Sequence, residues 1–220
     1  MIKQLSRIFL FTLSLIFLSG CAVEHNVKLP ESFWQDTSHK ITVAKTKVVD
    51  KPALHKIGGQ GLLDVAISAV ATKQFSSHVE KTSLDWYSGL SQKFTVQLKR
   101  RNIFAQTHQV DVESKQKKNP GFFMQMGGNK VLLIELQRLG AIRSYYGFVP
   151  LNAPKAYCVL KGELINLEDK KVLWRHLVEI VEPVQGEWDQ PPYYPNFTKA
   201  LEVAIASAQE EIIDGFFSGH

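Results

Sequence analysis

Cysteine is scarce in this chain: Cys21 and Cys158 are the only two in 220 residues. A disulfide-rich scaffold is therefore excluded, because at most one intrachain bridge could form and none could form if either thiol is modified. Long apolar runs are also missing. The longest, residues 8–18, has eleven residues, whereas a membrane-spanning helix needs about 20. This run instead fits the hydrophobic region of a signal peptide, with Lys3 and Arg7 as its basic flank.

Motifs that would indicate a chemical reaction are absent as well. There is no G-x-S-x-G nucleophile elbow, and "GGQG" at residues 58–61 lacks both the Gly-Lys-Ser/Thr ending and the G-x-G-x-x-G spacing of phosphate-binding loops. The seven histidines form none of the H-x-H, H-x-x-x-H or H-E-x-x-H spacings, so no metal site is predicted. Glu135 and Glu163 could meet across a sheet, which we interpret as a polar pair. We predict that the protein is not an enzyme and needs no cofactor.

A strong excess of charge of either sign is missing too. Residues 1–20 contain 2 of the 26 basic residues and no acidic ones, so 24 basic and 21 acidic residues remain after them, a balance of +3. This balance lacks the strong positive excess that is typical of nucleic-acid-binding proteins. It supports only a weak attraction to anionic head groups or cell-wall polymers.

What the sequence does contain is L-S-G-C at residues 18–21, directly after the apolar run. This tetrapeptide resembles the lipobox of bacterial lipoproteins. The resemblance implies that residues 1–20 are a signal peptide that is removed, and that Cys21 carries a diacylglyceryl group and, on its new amino group, often a further acyl chain such as palmitate. Ala22 after the cysteine, rather than Asp, favours the periplasmic face of the outer membrane. Two or more acyl chains anchor a protein stably in a membrane.

Residues 21–40 are then expected to be the lipidated cysteine and a tether. The 19 residues after Cys21 could reach at most roughly 65 Å. Phe33 and Trp34 are expected to dock on the domain and to shorten this reach.

Hydrophobic periodicity predicts the elements of a single domain over residues 41–220. Strands are expected at residues 41–49, 103–112, 130–142, 156–167 and 172–181, the last two forming a hairpin around "EDKK". Helices are expected at residues 62–75, from an N-cap at Ser83 to about Arg101, and at 196–217. Residues 55–61 and 113–129 are expected to be loops. Cys158 is expected to be a buried, unreactive thiol. This order predicts an α+β fold with a mostly antiparallel sheet of about five strands and helices packed on one face.

Three predicted loops are rich in aromatic residues, a residue type enriched at partner surfaces. Two roles are open for these segments: the loops fold back and cap the ends of the sheet, or their side chains bind a protein partner. The candidate partner-binding residues are Phe122, Phe123, Tyr145, Tyr146, Phe148, Trp188, Tyr193 and Tyr194.

The order of elements, with "KVLW" in the hairpin and an amphipathic final helix, is similar to that of small envelope lipoproteins. It also resembles, more loosely, the domain shared by the curli-pore lipoprotein family, penicillin-binding-protein activator lipoproteins and the N-terminal domain of TolB. The resemblance implies an α+β fold and binding rather than catalysis.

We therefore predict a non-enzymatic, lipid-anchored adaptor or assembly factor that binds another envelope component, with no nucleic acid or small-molecule ligand. One alternative is a self-assembling structural subunit of a secretion or pore complex. Another is an envelope hydrolase with a site around Asp64, Glu135 or His176.

Overall fold

The computed structural model describes residues 25–46, 53–57, 85–117, 119–146, 149–188 and 194–218. A short 3-10 helix at Glu31–Gln35 precedes the first strand. The strands are β1 (Lys40–Thr46), β2 (Ala53–Ile57), β3 (Phe104–Val112), β4 (Lys130–Tyr146), β5 (Val149–Pro150), β6 (Lys155–Asn166) and β7 (Val172–Pro183). The helices are α1 (Ser88–Arg100), α2 (Ser114–Lys117), α3 (Pro120–Met124) and α4 (Pro195–Phe217). Among these helices none is long and apolar enough to cross a membrane.

The elements form an α+β fold around one mixed sheet. Its main order is β3-β1-β4-β6-β7, and the short strands β2 and β5 also pair with β4. β1 pairs in parallel with both β3 and β4, and β2 pairs in parallel with β4. Among the pairs of described strands, those that β4 forms with β5 and β6, and the β6–β7 hairpin, are antiparallel. The expectation of a mostly antiparallel sheet was therefore wrong: the β1-to-β3 and β1-to-β4 connections are long enough to return each later strand in the same direction.

The two long helices cover one face of the sheet. The expectation that helices pack on one face only is wrong, because the short helix α3 covers part of the other face. Side chains from α1 and α4 share a single core cluster with alternate residues of β1, β4, β6 and β7. Leu90, Phe94 and Leu98 of α1 are fully buried, at the i, i+4, i+8 spacing that places them on one side of a helix. Trp174 of β7 lies at the centre, with its ring edge-on to Phe216 of α4 at 4.9 Å between centroids.

A smaller core cluster lies on the opposite face of the sheet. It contains Val131 and Leu133 of β4, whose neighbours in sequence point to the first cluster, together with Phe123 of the short helix α3. This alternation follows from the two-residue period of a strand. The opposite face is therefore packed where α3 covers it.

Several predicted boundaries change. Residues 55–57, expected to be a loop, belong to β2, because the far half of β4 supplies a parallel partner for them. The helix expected from Ser83 begins at Ser88, after Asp85 accepts hydrogen bonds from the backbone N–H of Tyr87 (3.2 Å) and Ser88 (2.9 Å). Residues 113–129 contain the helices α2 and α3. The hairpin and the final helix are confirmed to within two residues at each end. The helix expected at 62–75 lies outside the described residues.

The segment before β1 is docked on the domain. Phe33 is buried, with 6% of its surface exposed, and Trp34 packs against the first core cluster beneath the Arg101 guanidinium, 4.4 Å from the ring centroid. Further toward the N-terminus, Val27 pairs with Arg175 on the free edge of β7. The docked segment therefore reaches from the middle of β7 to the start of β1.

Candidate functional site

Two of the predicted aromatic segments meet at one end of the sheet. The first of these was expected to be a loop, but β4 continues to Tyr146, so Tyr145 and Tyr146 belong to the strand. Arg143 lies near the end of β4, and its guanidinium carbon is 5.6 Å from the centroid of the Trp188 ring. The Trp188 ring in turn stacks on Tyr194, with 6.2 Å between centroids. A cation over the face of a tryptophan is attracted by the ring quadrupole, worth about 0.5–1 kcal/mol at an exposed site. The β4 end, the loop after β7 and the start of α4 are thereby held together.

The backbone around this end is defined by side-chain and turn contacts. Tyr194 adopts a left-handed conformation, with φ 51° and ψ 54°, immediately before Pro195 begins α4. The Asn196 amide donates to the Glu187 carbonyl at 2.8 Å, which closes the loop onto the helix. Arg143 Nε donates to the Asn152 carbonyl at 2.8 Å, so the same side chain also holds the turn after β5.

Large apolar side chains are exposed beside these contacts. Tyr146, the last residue of β4, is 79% exposed, and Leu151, just after β5, is 64% exposed. The antiparallel β4–β5 pairing and a hydrogen bond from Leu151 N to Ser144 O (3.0 Å) keep the backbones of these two segments side by side. We name the set Arg143, Tyr146, Leu151, Trp188 and Tyr194 the aromatic end.

Of the other candidate residues in these two segments, only Tyr145 lies in the described part of the chain. Tyr145 pairs through its backbone with Pro150. Phe148 and Tyr193 lie outside the described residues.

The first aromatic loop lies elsewhere, on the opposite face of the sheet. Phe123 is 1% exposed and belongs to the second core cluster, and Phe122 is half-buried against that cluster and edge-on to His108. A local signal explains the helix that places them: Asn119 accepts a hydrogen bond from Gly121 N at 3.1 Å, and Pro120 occupies the first turn. Phe122 and Phe123 are therefore not part of the aromatic end.

A network of five charged side chains lies on the same opposite face. Arg175 Nε donates to Glu163 Oε1 at 2.7 Å, and Lys161 Nζ lies 3.3 Å from that same oxygen. Lys117 Nζ lies 2.9 Å from Glu135 Oε2 and 4.0 Å from Glu163 Oε2. The strand register causes this arrangement, because Glu163 lies directly opposite Arg175, and Glu135 directly opposite Lys161.

The network compensates its own charges. The side chains of Lys161 and Glu163 are only 6% and 8% exposed, and burial of such groups is tolerated when opposite charges lie within contact distance. Glu135 and Glu163 thus meet through a shared lysine, which is consistent with the interpretation as a polar pair.

Of the residues suggested for a hydrolytic site, the two that the structure describes lie on opposite faces of the sheet. Glu135 belongs to the charge network, whereas His176 lies on the helix-covered face, stacked near Trp174 and close to Gly215 of α4. Asp64 lies outside the described residues. Within the described part of the chain, no group of three or more His, Cys, Asp or Glu side chains is placed to hold a metal ion.

Two other reactive side chains are buried in structural roles. Cys158 is fully buried, and burial raises the pKa of its thiol to about 12. His39 is 6% exposed, and its Nε2 lies 3.0 Å from the Phe33 carbonyl. Burial, assisted by the nearby charge of Lys130, lowers the pKa of His39 below its ordinary value. Neither group has the exposed setting that a nucleophile or proton shuttle needs.

A cavity of about 290 Å³ lies between α3, the start of β4 and the end of β6. Its walls are mainly apolar. The lining residues are Lys117, Pro120, Phe123, Val131, Ile165, Asn166, Leu167 and Lys170.

Comparisons with known proteins give only distant similarities. No family model matches the chain, and no curated protein matches it. The chain is similar to the solved structure of XCC0632 from Xanthomonas campestris, a protein of the DUF330 family, at 13% identity and a TM-score of 0.39, over 85% of this chain and 88% of that one. It is similar to PelC from Paraburkholderia phytofirmans, solved as a dodecamer, at 9% identity and a TM-score of 0.38, over 87% and 96%. It is also similar to the lipoprotein GNA1162 from Neisseria meningitidis, at 12% identity and a TM-score of 0.35, over 80% and 97%. Similarities at this level carry no argument about function.

Proposed function

We propose that this protein is a non-enzymatic, lipid-anchored envelope protein that binds another envelope protein through the aromatic end. The observation that carries the proposal is that Tyr146 and Leu151 are exposed on the same segment that supplies Arg143 to the packed Arg143–Trp188–Tyr194 stack. Aromatic residues and Arg are enriched in binding hot spots, where a few rigid anchors supply most of the affinity. The stack supports this role because Trp188 and Tyr194 are already held against one another and against Arg143 before a partner arrives.

The lipobox supports the location. Acyl chains on Cys21 would keep the domain at a membrane outside the cytosol, and Ala22 favours the outer membrane, facing the periplasm. An adaptor or assembly factor in this position meets its partner at the membrane surface.

The proposal is tested by site-specific photocrosslinking in cells. A photoreactive phenylalanine analogue is placed at Tyr146 or Leu151, and, as matched controls, at Val96 of α1 or Val203 of α4, each 41% exposed. We expect both aromatic-end positions to trap one discrete protein of the same mass, which the two helical positions do not trap.

The outcomes separate the proposal from its alternatives. An adduct of twice the mass of the protein, found at the aromatic end, would instead support the self-assembling subunit. No adduct, or the same set of adducts at all four positions, would contradict a specific surface there. Trp188→Ala should weaken the specific adduct without changing protein abundance, because Trp188 is half-buried at the surface and lies outside both core clusters.

A further inference from the structure

We infer that the β7 edge of the sheet faces the membrane and that the β3 edge faces away from it. The inference rests on the proposed lipidation of Cys21, and it adds an orientation that lipidation alone does not give. Its basis is the position at which the chain leaves the domain toward Cys21.

That exit point is fixed on the free edge of β7. Val27 N donates to Arg175 O at 2.8 Å, and Arg175 N donates to Val27 O at 2.9 Å. Asn26 Oδ1 accepts a hydrogen bond from Leu177 N at 3.1 Å. Leu29 is 8% exposed and belongs to the first core cluster, so the residues that follow are also packed on the domain.

The free length of chain is therefore short. Cys21 and Val27 are six residue steps apart (27 − 21), and six steps span at most about 21 Å when fully extended. The tether expected from sequence alone, 19 residues with a reach of roughly 65 Å, would leave the domain free to turn in any direction. A reach about one third as long restricts the directions in which the domain can turn.

The opposite orientation needs a longer chain than is available. The sheet runs β3-β1-β4-β6-β7, and Val27 lies one strand position beyond β7. Neighbouring strands are about 4.8 Å apart, so Val27 lies five spacings, roughly 24 Å, from β3. With the β3 edge on the bilayer, the segment from Cys21 would have to cover this distance and also pass around the domain, and about 21 Å of chain cannot do so.

The side chains near the exit point are compatible with a membrane surface. Leu177 and Val181 of β7 are each 40% exposed and, being four residues apart on a strand, lie on the same side of it. Lys28 is exposed next to the bridge and can reach an anionic head group while its stem covers apolar surface. This edge therefore offers both an apolar contact and a positive charge.

The test measures the distance of two edges from the bilayer. Leu177→Cys on β7 and Phe104→Cys on β3, which is 53% exposed, are each labelled with a thiol-reactive fluorophore in the purified, lipidated full-length protein. Val181→Cys is a second site on the β7 side. The native Cys158 is fully buried, so it does not compete for the label. The protein is incorporated in vesicles of phosphatidylethanolamine and phosphatidylglycerol that contain a lipid with a nitroxide on its head group.

We expect quenching at residues 177 and 181 to be at least about twice that at residue 104, since β7 and β3 are four spacings, about 19 Å, apart. Insertion of twelve Gly/Ser residues between Ala22 and Val23 should reduce this difference, because the longer tether lets the domain turn.

Equal quenching at the two edges, or stronger quenching at residue 104, would overturn the orientation while leaving the anchor intact. Failure of the protein to float with the vesicles would overturn the proposed anchor, and with it this inference. A difference that the insertion does not reduce would show that something other than tether length orients the domain, and would overturn the argument from chain length.

Discussion

Close packing of β6 against Trp174 makes Gly162 a position where one methyl group should destabilise the fold. A Cβ at Gly162 would lie 2.5 Å from Trp174 Cζ3 and 3.2 Å from Ile212 Cδ1. Trp174 is 2% exposed and has little room to move. Its Nε1 donates to the Gly215 carbonyl at 3.1 Å, and its ring packs edge-on against Phe216. Gly162→Ala therefore forces either the indole or the neighbouring helix to shift.

Two opposing effects determine how much Gly162→Ala lowers the free energy of unfolding. Overpacking a filled core typically destabilises by about 1–3 kcal/mol, and the loss of glycine's freedom in the unfolded chain offsets about 0.4–1 kcal/mol of this. The net loss should be about 1–2 kcal/mol, which lowers Tm by roughly 2–8 °C in a domain of this size. Gly89→Ala is the matched control: a Cβ there meets nothing within 4 Å, and in a helix alanine is favoured over glycine by up to about 1 kcal/mol.

Thermal unfolding followed by circular dichroism gives the Tm of both variants for comparison with the parent protein. Gly162→Ala should unfold below the parent and Gly89→Ala at or above it. A Gly162→Ala protein as stable as the parent would refute the close contact between β6 and the Trp174 ring.

Three further predictions concern buried ionisable groups. Burial raises the pKa of the Cys158 thiol from its ordinary value of 9.0 to about 12, so it should not react with iodoacetamide at pH 8 until the protein is unfolded by urea, whereas Val96→Cys should react at once. As the pH rises, the thiol ionises in the unfolded protein before it ionises in the folded one. The stability that buried Cys158 contributes should therefore be complete below pH 9 and be lost as the pH rises toward 12. If a Cys158→Ala variant lost as much stability over this range, the loss would not come from Cys158. Burial lowers the pKa of His39 below its ordinary value of 6.5, so the stability that neutral His39 contributes is complete above pH 6.5 and is lost on acidification. The free energy of unfolding in urea should therefore differ less between pH 7.5 and pH 5.5 in His39→Gln than in the parent protein. Glu163→Gln should destabilise by about 3 kcal/mol because it removes a buried carboxylate that both Arg175 and Lys161 contact. The double variant with Lys161→Met should recover part of this loss, and a double variant no more stable than Glu163→Gln alone would argue against the coupling.

Elements defined by local pattern were predicted well from the sequence. The hairpin of β6 and β7 is bounded by the turn-forming "EDKK", and α4 carries a continuous apolar stripe, so neighbouring residues suffice to place them. β2 was missed because its five residues become a strand only through parallel pairing with the far half of β4. The parallel direction of β1 likewise depends on connections between distant segments, which no local period reveals.

In the candidate site, too, local features could be predicted from the sequence and contacts between distant segments could not. That Trp188 and Tyr194 are near one another follows from their separation of six residues, but the contact with Arg143 brings together segments about 45 residues apart. The composition of "GFFMQMGG" did not distinguish a surface loop from the short helix that buries Phe123, although Asn-Pro before it is a helix-start signal. The charge network could be predicted only with the strand register, which sets Glu163 opposite Arg175.

We expect acyl chains on Cys21 to hold this domain at a bilayer. The most direct measurement is the intact mass of the protein isolated from membranes of cells that express it, beside the Cys21→Ser variant. The protein should begin at Cys21 and carry the added mass of a diacylglyceryl group with or without a third acyl chain, whereas the variant should lack this mass and leave the membrane fraction. An unmodified Cys21, or a Cys21→Ser protein that stays with membranes at the same processed mass, would show that lipidation of Cys21 does not anchor the domain.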